Sequence, residues 1–226
     1  METILSRTLR TWLCAILLLI VAPSLGRARI HAGVEAGLNL SSLRYDDQLP
    51  PWDPGWRTSF TGGACLEIPL RGRFALAAGL RYVQQGNRVK YDTGPGSLRQ
   101  VGEFRVVQNY VSIPMLLKCR PLPSRRIILS VGPEIGFLLS GRLIVEETLI
   151  TGGVPDERTE YDNIRDHLRK TNLTLDVGTG FEFPMENHVG VMSLRYTHGL
   201  TGTANKDAWF SDWKTRGIEW LVGMRW

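Results

Sequence analysis

Apolar and polar residues alternate one by one along the closing segment of the chain, Gly217 to Trp226. Successive side chains of a β-strand point to opposite faces, so this segment presents two unlike faces. One face carries Ile218, Trp220, Val222, Met224 and Trp226, and the other carries Glu219, Gly223 and Arg225 together with Leu221. The pattern predicts a strand with an apolar side toward lipid and a polar side toward the interior of a barrel.

The same period of two recurs in seven earlier segments. The eight predicted strands are Ile30 to Leu43, Ser59 to Leu70, about Phe74 to Gln85, about Phe104 to Arg120, Ile127 to Ser140, Asn172 to Phe183, Val189 to Leu200 and Gly217 to Trp226. In the fifth strand, Leu139 is predicted to face lipid and Ser140 the interior. Pro114 and Pro133 lie inside two strands, and because proline removes a ladder hydrogen bond, we expect local irregularities there.

The connections between these segments alternate between long and short. The long ones are about 44 to 58, 86 to 103, 141 to 171 and 201 to 216, and the short ones are 71 to 73, 121 to 126 and 184 to 188. Outer-membrane barrels place short turns in the periplasm and long loops outside. A spanning sheet must also close on itself, because a bilayer offers no water to unpaired backbone groups. The predicted fold is all-β, an eight-stranded antiparallel up-and-down transmembrane β-barrel.

Composition alone resembles that of a soluble protein, with 43% hydrophobic and 22% charged residues and a mean hydropathy of −0.10. Alternation explains this, since a membrane barrel contains no long apolar run in its body. A soluble eight-stranded ligand-binding barrel is the competing fold, but it would bury its apolar face inward. The one long apolar run, Trp12 to Ala22, is too short to span a bilayer, which takes about 20 residues.

The N-terminus is predicted to be a secretory signal. Arg7 and Arg10 precede the apolar run, and small residues follow it. We expect a signal peptide over residues 1–26, cleaved after Gly26 or Ala28, followed by an outer-membrane barrel domain over residues 27–226. The formal net charge is +5, but the basic residues are scattered, so nucleic acid is not an expected partner.

Ionisable residues of both signs fall on the predicted inner face. They are Glu35, Glu67, Arg81, Lys118, Glu134, Asp176, Glu182, Arg195, Glu219 and Arg225. Such a set could line a conducting or binding pore, or it could form paired charges that fill the interior. Eight strands leave an interior just wide enough for side chains, which favours a filled lumen with a structural polar network.

Candidate chemistry outside the interior is sparse. No histidine has a serine or cysteine and a carboxylate at a spacing typical of a nucleophile and base, although His198, Asp207 and Ser211 could meet across loops. We predict no catalytic residues, no metal ligands and no cofactor.

The third long connection is rich in acidic residues. It contains Glu146, Glu147, Asp156, Glu157, Glu160, Asp162 and Asp166, which would either hold a cation or, as we expect, remain solvated. A short helix is predicted from Tyr161 to Lys170, because its acidic and basic residues pair at helical spacing. Four tryptophans lie in or beside outer loops, where they would anchor at headgroups or stack on a ligand: Trp52, Trp56, Trp209 and Trp213.

Four segments resemble the PorT-like outer-membrane β-barrel family of Gram-negative envelopes. They are Gly33 to Asn39, Gly79 to Gly86, Tyr110 to Lys118 and Gly132 to Gly136. The third is the most specific, with a tyrosine before a short apolar stretch that is broken by Ile113-Pro114 and closed by a lysine. The resemblance implies a barrel in the outer membrane and brings no catalytic residues. By resemblance to outer-membrane barrels, Trp226 suits the signal read by the barrel insertion machinery.

The sequence therefore predicts an integral outer-membrane barrel with a filled lumen and a structural or interaction role through its outer loops. Its expected partners are outer-membrane lipid and the insertion machinery. A small pore or a transport or secretion accessory is the first alternative. A membrane-embedded enzyme acting on lipid or peptide is the second.

Overall fold

Nine antiparallel strands make up most of the described chain. The computed structural model describes residues 30–44, 55–93, 98–122, 126–151, 154–204 and 213–226. The strands are β1 (His31–Arg44), β2 (Arg57–Pro69), β3 (Phe74–Thr93), β4 (Leu98–Cys119), β5 (Ile127–Thr151), β6 (Val154–Asn163), β7 (Thr171–Pro184), β8 (Val189–Gly202) and β9 (Lys214–Arg225). Within these ranges no helix is long and apolar enough to cross a membrane. The predicted signal peptide and its cleavage points lie outside the described residues.

Eight of the nine strands close into a ring. Their order around it is β1-β2-β3-β4-β5-β7-β8-β9, and β9 pairs back onto β1. Gly37 shows the closure, because it lies opposite Thr61 of β2 on one side and Leu221 of β9 on the other. The predicted eight-stranded up-and-down barrel is confirmed, with every ring strand hydrogen-bonded on both edges.

The two faces of each strand follow the alternation. On β2 and β3, Leu66 and Leu80 are 53% and 59% exposed, whereas Glu67 and Arg81 are each 2% exposed. Apolar side chains therefore form an outward belt, and charged side chains are enclosed. This is the reverse of a soluble barrel, which would bury the apolar residues, and it suits a lipid surround.

Two predicted connections are largely strand. The segments expected as loops over 86 to 103 and 141 to 171 contain the outer halves of β3, β4 and β5, and all of β6. These four strands form a sheet that extends past the ring, and β6 pairs only with β5 among the described strands. The extension escaped prediction because its segments are rich in charged residues, a composition typical of loops, although Arg88, Val89 and Lys90 do alternate and Val89 is buried.

The helix predicted from Tyr161 to Lys170 is wrong. Tyr161 belongs to β6, and only a single 3-10 turn, Arg165–His167, follows. Its charges pair well at helical spacing, but that gain amounts to only about 0.2–0.5 kcal/mol per pair. The pairing of β6 with β5 and the burial of Ile164 and Leu168 outweigh this gain from helical charge pairs.

A β-bulge in β5 changes the predicted faces of that strand. Asn109 lies opposite Ser140, but the next residue, Tyr110, lies opposite Leu138, so Leu139 is the extra residue. Ser140 therefore faces outward with Leu139, contrary to the prediction, and its hydroxyl oxygen accepts a hydrogen bond from Asn109 Nδ2 at 2.8 Å. Beyond the bulge the alternation is reversed, so Arg142 points outward.

The prolines interrupt pairing without changing the register. The β3–β4 ladder runs to Ala78 opposite Met115 and resumes at Arg81 opposite Ser112, on either side of Pro114. The β4–β5 ladder has a similar gap at Pro133 and keeps its register across it. The bulge lies several residues away from both prolines, so they are not its cause. At the short turn after β2, Gly72 has a φ of 77°, a conformation that glycine adopts without strain.

Candidate functional site

The lumen contains a central cluster of charges, which comprises Glu35, Arg81, Glu134, Arg195 and Glu219. Arg81 is buried and donates to Glu134 at 2.6 Å and to both carboxylate oxygens of Glu219 at 2.8 and 3.2 Å. Its guanidinium also lies 3.6 Å from Glu35. Arg195 approaches Glu35 at 3.3 Å and Glu219 at 3.5 Å from the opposite wall. These pairs link β1, β3, β5, β8 and β9 across the interior.

A second group of charges, the lower cluster, lies toward the short-turn end and comprises Glu67, Lys118, Arg120, Glu182 and Arg225. Glu67 accepts from Lys118 at 3.0 Å and from Arg120 and Arg225 at 2.5 Å each. Glu182 lies 2.8 Å from both arginines. Because these strands are not neighbours in the ring, the ion pairs fill the end of the lumen.

Nine of the ten predicted lumen residues belong to these two clusters. The tenth, Asp176, is fully buried but makes no ion pair with any described residue, and its Oδ2 has no hydrogen-bond partner there. Sequence reasoning missed Arg120, which lies just after β4. The alternation would have found it, since Lys118 faces inward and Arg120 is two residues further along. With Arg120 included, these two clusters and Asp176 bring six carboxyl groups and five cationic side chains into the described part of the lumen.

Uncharged polar side chains fill the lumen above the central cluster. Gln85, Asn87, Gln108, Asn172 and Thr174 are all buried there or at the mouth above. The cavity among these walls has a volume of about 20 Å³, and another beside Glu35 and Glu67 has about 30 Å³. Each has room for only about one to three water molecules, because a single water needs roughly 10–15 Å³. The described lumen is filled by side chains.

An apolar cluster, here called the cap, closes the opposite end of the lumen. It comprises Leu43, Val106, Tyr110, Leu138, Ile164, Leu168, Ala204 and Trp213, with Leu143 packed against it. Ile164 and Leu168 come from the connection between β6 and β7, which turns back over the mouth. Full burial of a leucine contributes roughly 1.5–3 kcal/mol, so Leu168 alone holds this connection firmly.

Backbone contacts fasten the cap to the ring. Ile164 N donates to Gly141 O at 3.1 Å, and Arg169 N donates to Thr203 O at 2.8 Å. A Cβ atom on Gly141 would lie 2.4 Å from Leu168 Cδ1, so a larger residue there would force the Leu168 side chain to shift. The bulge in β5 also contributes to the packing of the cap, because the reversed alternation beyond it turns Leu143 toward this cluster.

Two of the four tryptophans of the outer connections lie in the described chain. Trp213 is buried in the cap, so its expected place at the headgroups is wrong. Trp56 is exposed, and the guanidinium carbon of Arg216 lies 5.1 Å from the centre of its ring. Trp52 and Trp209 lie outside the described residues.

The extended sheet carries its own polar contacts. Arg88 pairs with Glu103 at 2.5 Å, and Arg105 contacts both Glu103 and Glu146. The Tyr91 ring lies across Gly102, and its hydroxyl donates to Glu147 at 2.7 Å. Two of the acidic residues predicted as a possible cation site are therefore paired within this sheet. No group of three or more His, Cys, Asp or Glu that could hold a metal ion occurs among the described residues.

His198 is exposed on β8 and stacks against Tyr196 with the two ring centres 6.4 Å apart. Its suggested partners, Asp207 and Ser211, lie outside the described residues. The described residues of the lumen form ion pairs inside a closed wall of strands, and apolar side chains cover one end.

A family model described as an outer membrane protein beta-barrel domain matches residues 22–205. No curated protein sequence matches the chain.

Solved structures show a more distant likeness. The attachment invasion locus protein Ail of Yersinia pestis is 15% identical, with 87% of this chain and 98% of that chain covered and a TM-score of 0.38. Neisserial surface protein A is 13% identical, covering 88% and 97% with a TM-score of 0.40. The protease OmpT of Escherichia coli is 7% identical, covering 87% and 96% with a TM-score of 0.30.

Proposed function

The chain belongs to the family of outer-membrane β-barrel domains, and we propose that it works there as a structural and interaction protein through the part that projects outside the cell. It is an integral outer-membrane barrel with an apolar belt toward lipid and a lumen filled by side chains. The proposed role is not catalytic. The finer relationship to PorT-like barrels is part of this proposal, and the four sequence segments described above support it.

The observation that carries the proposal is that the lumen is closed at both ends. The two ion-paired clusters fill it from the periplasmic end, and the cap seals the outer end. A passing ion would have to break several buried ion pairs and then cross an apolar layer. Removing one partner of a buried ion pair costs about 3–5 kcal/mol, so the closed state resists opening by thermal motion.

Planar-bilayer recording tests this closure. Purified protein should give no reproducible single-channel steps. A variant that truncates the cap, Leu168→Ser, should remain closed as well, because the charged clusters still fill the lumen below. Regular conductance steps from the unaltered protein would instead establish the pore alternative.

The interaction surface proposed is strand β6 at the free edge of the extended sheet. All side chains from Asp156 to Asn163 are exposed, and none of these strand positions pairs with a strand other than β5 in the described chain. An edge strand offers unpaired backbone groups to an incoming strand. Strand β6 carries four carboxylates, Asp156, Glu157, Glu160 and Asp162, and one guanidinium, Arg158. This negative excess favours an extended partner segment with lysine or arginine side chains.

A pull-down from native membranes tests the surface. The double variant Glu157→Gln/Glu160→Gln should capture less of a basic partner, and raised salt should weaken capture by the unaltered protein. Glu186→Gln in the periplasmic turn is the matched control and should change nothing. Capture that is insensitive to both variants would refute β6 as the binding surface. The other proposed partners are lipid around the belt and the insertion machinery at Trp226, and nucleic acid is not proposed.

A further inference from the structure

An open cavity of about 450 Å³ lies on the outer wall of the barrel, between β5 and the base of β6. Its lining includes Leu139, Ser140, Arg142, Tyr161, Asp162 and Arg165. The volume falls within the range of about 300–1,000 Å³ typical of small-molecule sites. The cavity lies outside the lumen, so the closure does not account for it, and it shares only the base of β6, Tyr161 to Asn163, with the proposed protein-binding surface.

The residues around this cavity show at which level of the barrel it opens. On β5 the apolar belt ends at Leu139, which is 48% exposed. Beside it an outward-facing polar chain begins, because Asn109 donates to Ser140 at 2.8 Å and accepts from the Tyr82 hydroxyl at 2.9 Å. A tyrosine with its ring toward lipid and its hydroxyl in a polar chain is typical of the membrane interface. The cavity therefore opens at the level of the outer-leaflet headgroups.

Two arginines give the cavity its charge. Arg142 reaches it because the bulge at Leu139 reverses the alternation of β5, and Arg165 belongs to the 3-10 turn held by the cap. Both side chains are exposed, and neither makes an ion pair with a described residue. The lining contains one carboxylate, Asp162, so its two guanidinium groups leave a positive excess. Elsewhere in the described chain, lumen arginines are paired.

We propose that this cavity binds the phosphate-bearing headgroup of a lipid in the outer leaflet. Guanidinium groups bind phosphate oxygens through paired, charge-assisted hydrogen bonds. Leu139 lies at the lipid side of the cavity, where an acyl chain would contact it, and Ser140 and Tyr161 offer hydroxyl groups near the polar part. The exposed Leu139 at the edge of the belt favours a lipid over free phosphate as the ligand. This inference goes beyond the proposed interaction role and does not depend on β6 binding a protein.

Lipid binding to the full-length mature barrel in a neutral detergent tests the proposal. The probes are lipid A with both phosphates, its dephosphorylated form and inorganic phosphate, and native mass spectrometry measures the bound fraction. Arg142→Gln and Arg165→Gln should each weaken lipid A binding by about tenfold, the loss expected for one charge-assisted contact. Arg158→Gln on β6 is the control, because that arginine is exposed but does not line the cavity.

Each outcome decides the question. Tight binding of phosphorylated lipid A that depends on Arg142 and Arg165, but not on Arg158, supports the site. Equal binding of the dephosphorylated lipid would overturn it, as would an equal loss in all three variants. Comparable affinity for inorganic phosphate would show that the ligand is not a lipid. Arg165 lies in a turn outside the ring, so Arg165→Gln keeps the test available if Arg142→Gln fails to assemble.

Discussion

Replacing Arg81 by methionine tests whether the central cluster holds the barrel together. The side chain of Arg81 is 1% exposed and contacts three carboxylates. Methionine keeps much of the volume and removes the charge. Glu35 and Glu219 would retain Arg195 at 3.3 and 3.5 Å, but Glu134 would have no cationic partner among the described residues.

The expected cost follows from that uneven loss. Removing one partner of a buried ion pair destabilises a protein by about 3–5 kcal/mol, because a buried charge is left uncompensated. Of the three carboxylates, Glu134 alone would lose every cationic partner among the described residues. We therefore expect Arg81→Met to lower the free energy of unfolding by about 3–5 kcal/mol rather than by three times that amount. Adding Glu134→Gln removes the stranded charge and should restore about 1.5–3 kcal/mol, the range for a hydrogen bond to a charged group.

Urea unfolding in lipid vesicles, followed by tryptophan fluorescence, measures these changes. Arg88→Met is the matched control on the same strand, because the Arg88 side chain also contacts a carboxylate, at 2.5 Å, but is 47% exposed. Exposed ion pairs contribute about 0–1 kcal/mol. A cost of Arg81→Met no greater than that of Arg88→Met would contradict this expectation, and so would an unchanged cost of Arg81→Met in the Glu134→Gln background.

Three further predictions concern the belt, the C-terminus and the extended sheet. Val131→Arg should cost about 2–4 kcal/mol in lipid, because Val131 is exposed in the middle of the belt; unchanged stability would contradict its lipid-facing position. Deleting Trp226 should reduce the assembled fraction in cells far more than the stability of barrels that do assemble, although it also removes the hydrogen bond from Trp226 N to Ala32 O; equal losses would argue against an insertion signal. Burial and the hydrogen bond to Glu147 raise the pKa of Tyr91 from 10.0 to about 12, so the stability contributed by the protonated phenol is present below pH 10 and lost as the pH rises toward 12. Glu147→Gln should move the tyrosinate absorbance transition of Tyr91 back toward 10.

The predictable part of this protein depends on a local rule. A strand repeats every two residues, so residues two apart share a face whatever the rest of the chain does. This rule placed Leu66 and Leu80 outside and Glu67 and Arg81 inside, and it would have placed Arg120 had it been applied one step further. It also gave the number of ring strands, since each segment between turns alternates independently.

The rule fails where the chain departs from that period or leaves lipid. The extra residue at Leu139 shifts the outward set from Ser140 onward, and nothing in the local sequence marks a bulge there. Strand β6 and the outer halves of β3 and β4 lie beyond the belt, where most outward side chains are charged, so outward apolar residues no longer mark a strand. The buried place of Trp213 depends on a connection folding back from between β6 and β7.

The sequence by itself determined that the chain spans a membrane as a closed sheet, and which charged side chains lie inside it. Tertiary structure alone decided which charges meet. Arg81 and Glu219 are 138 positions apart and come together only because the ring closes β9 onto β1 and brings β3 to face it across a narrow lumen. Alternation assigns a residue to a face, but a partner on the opposite wall is set by register, bulges and closure, which are properties of the whole ring.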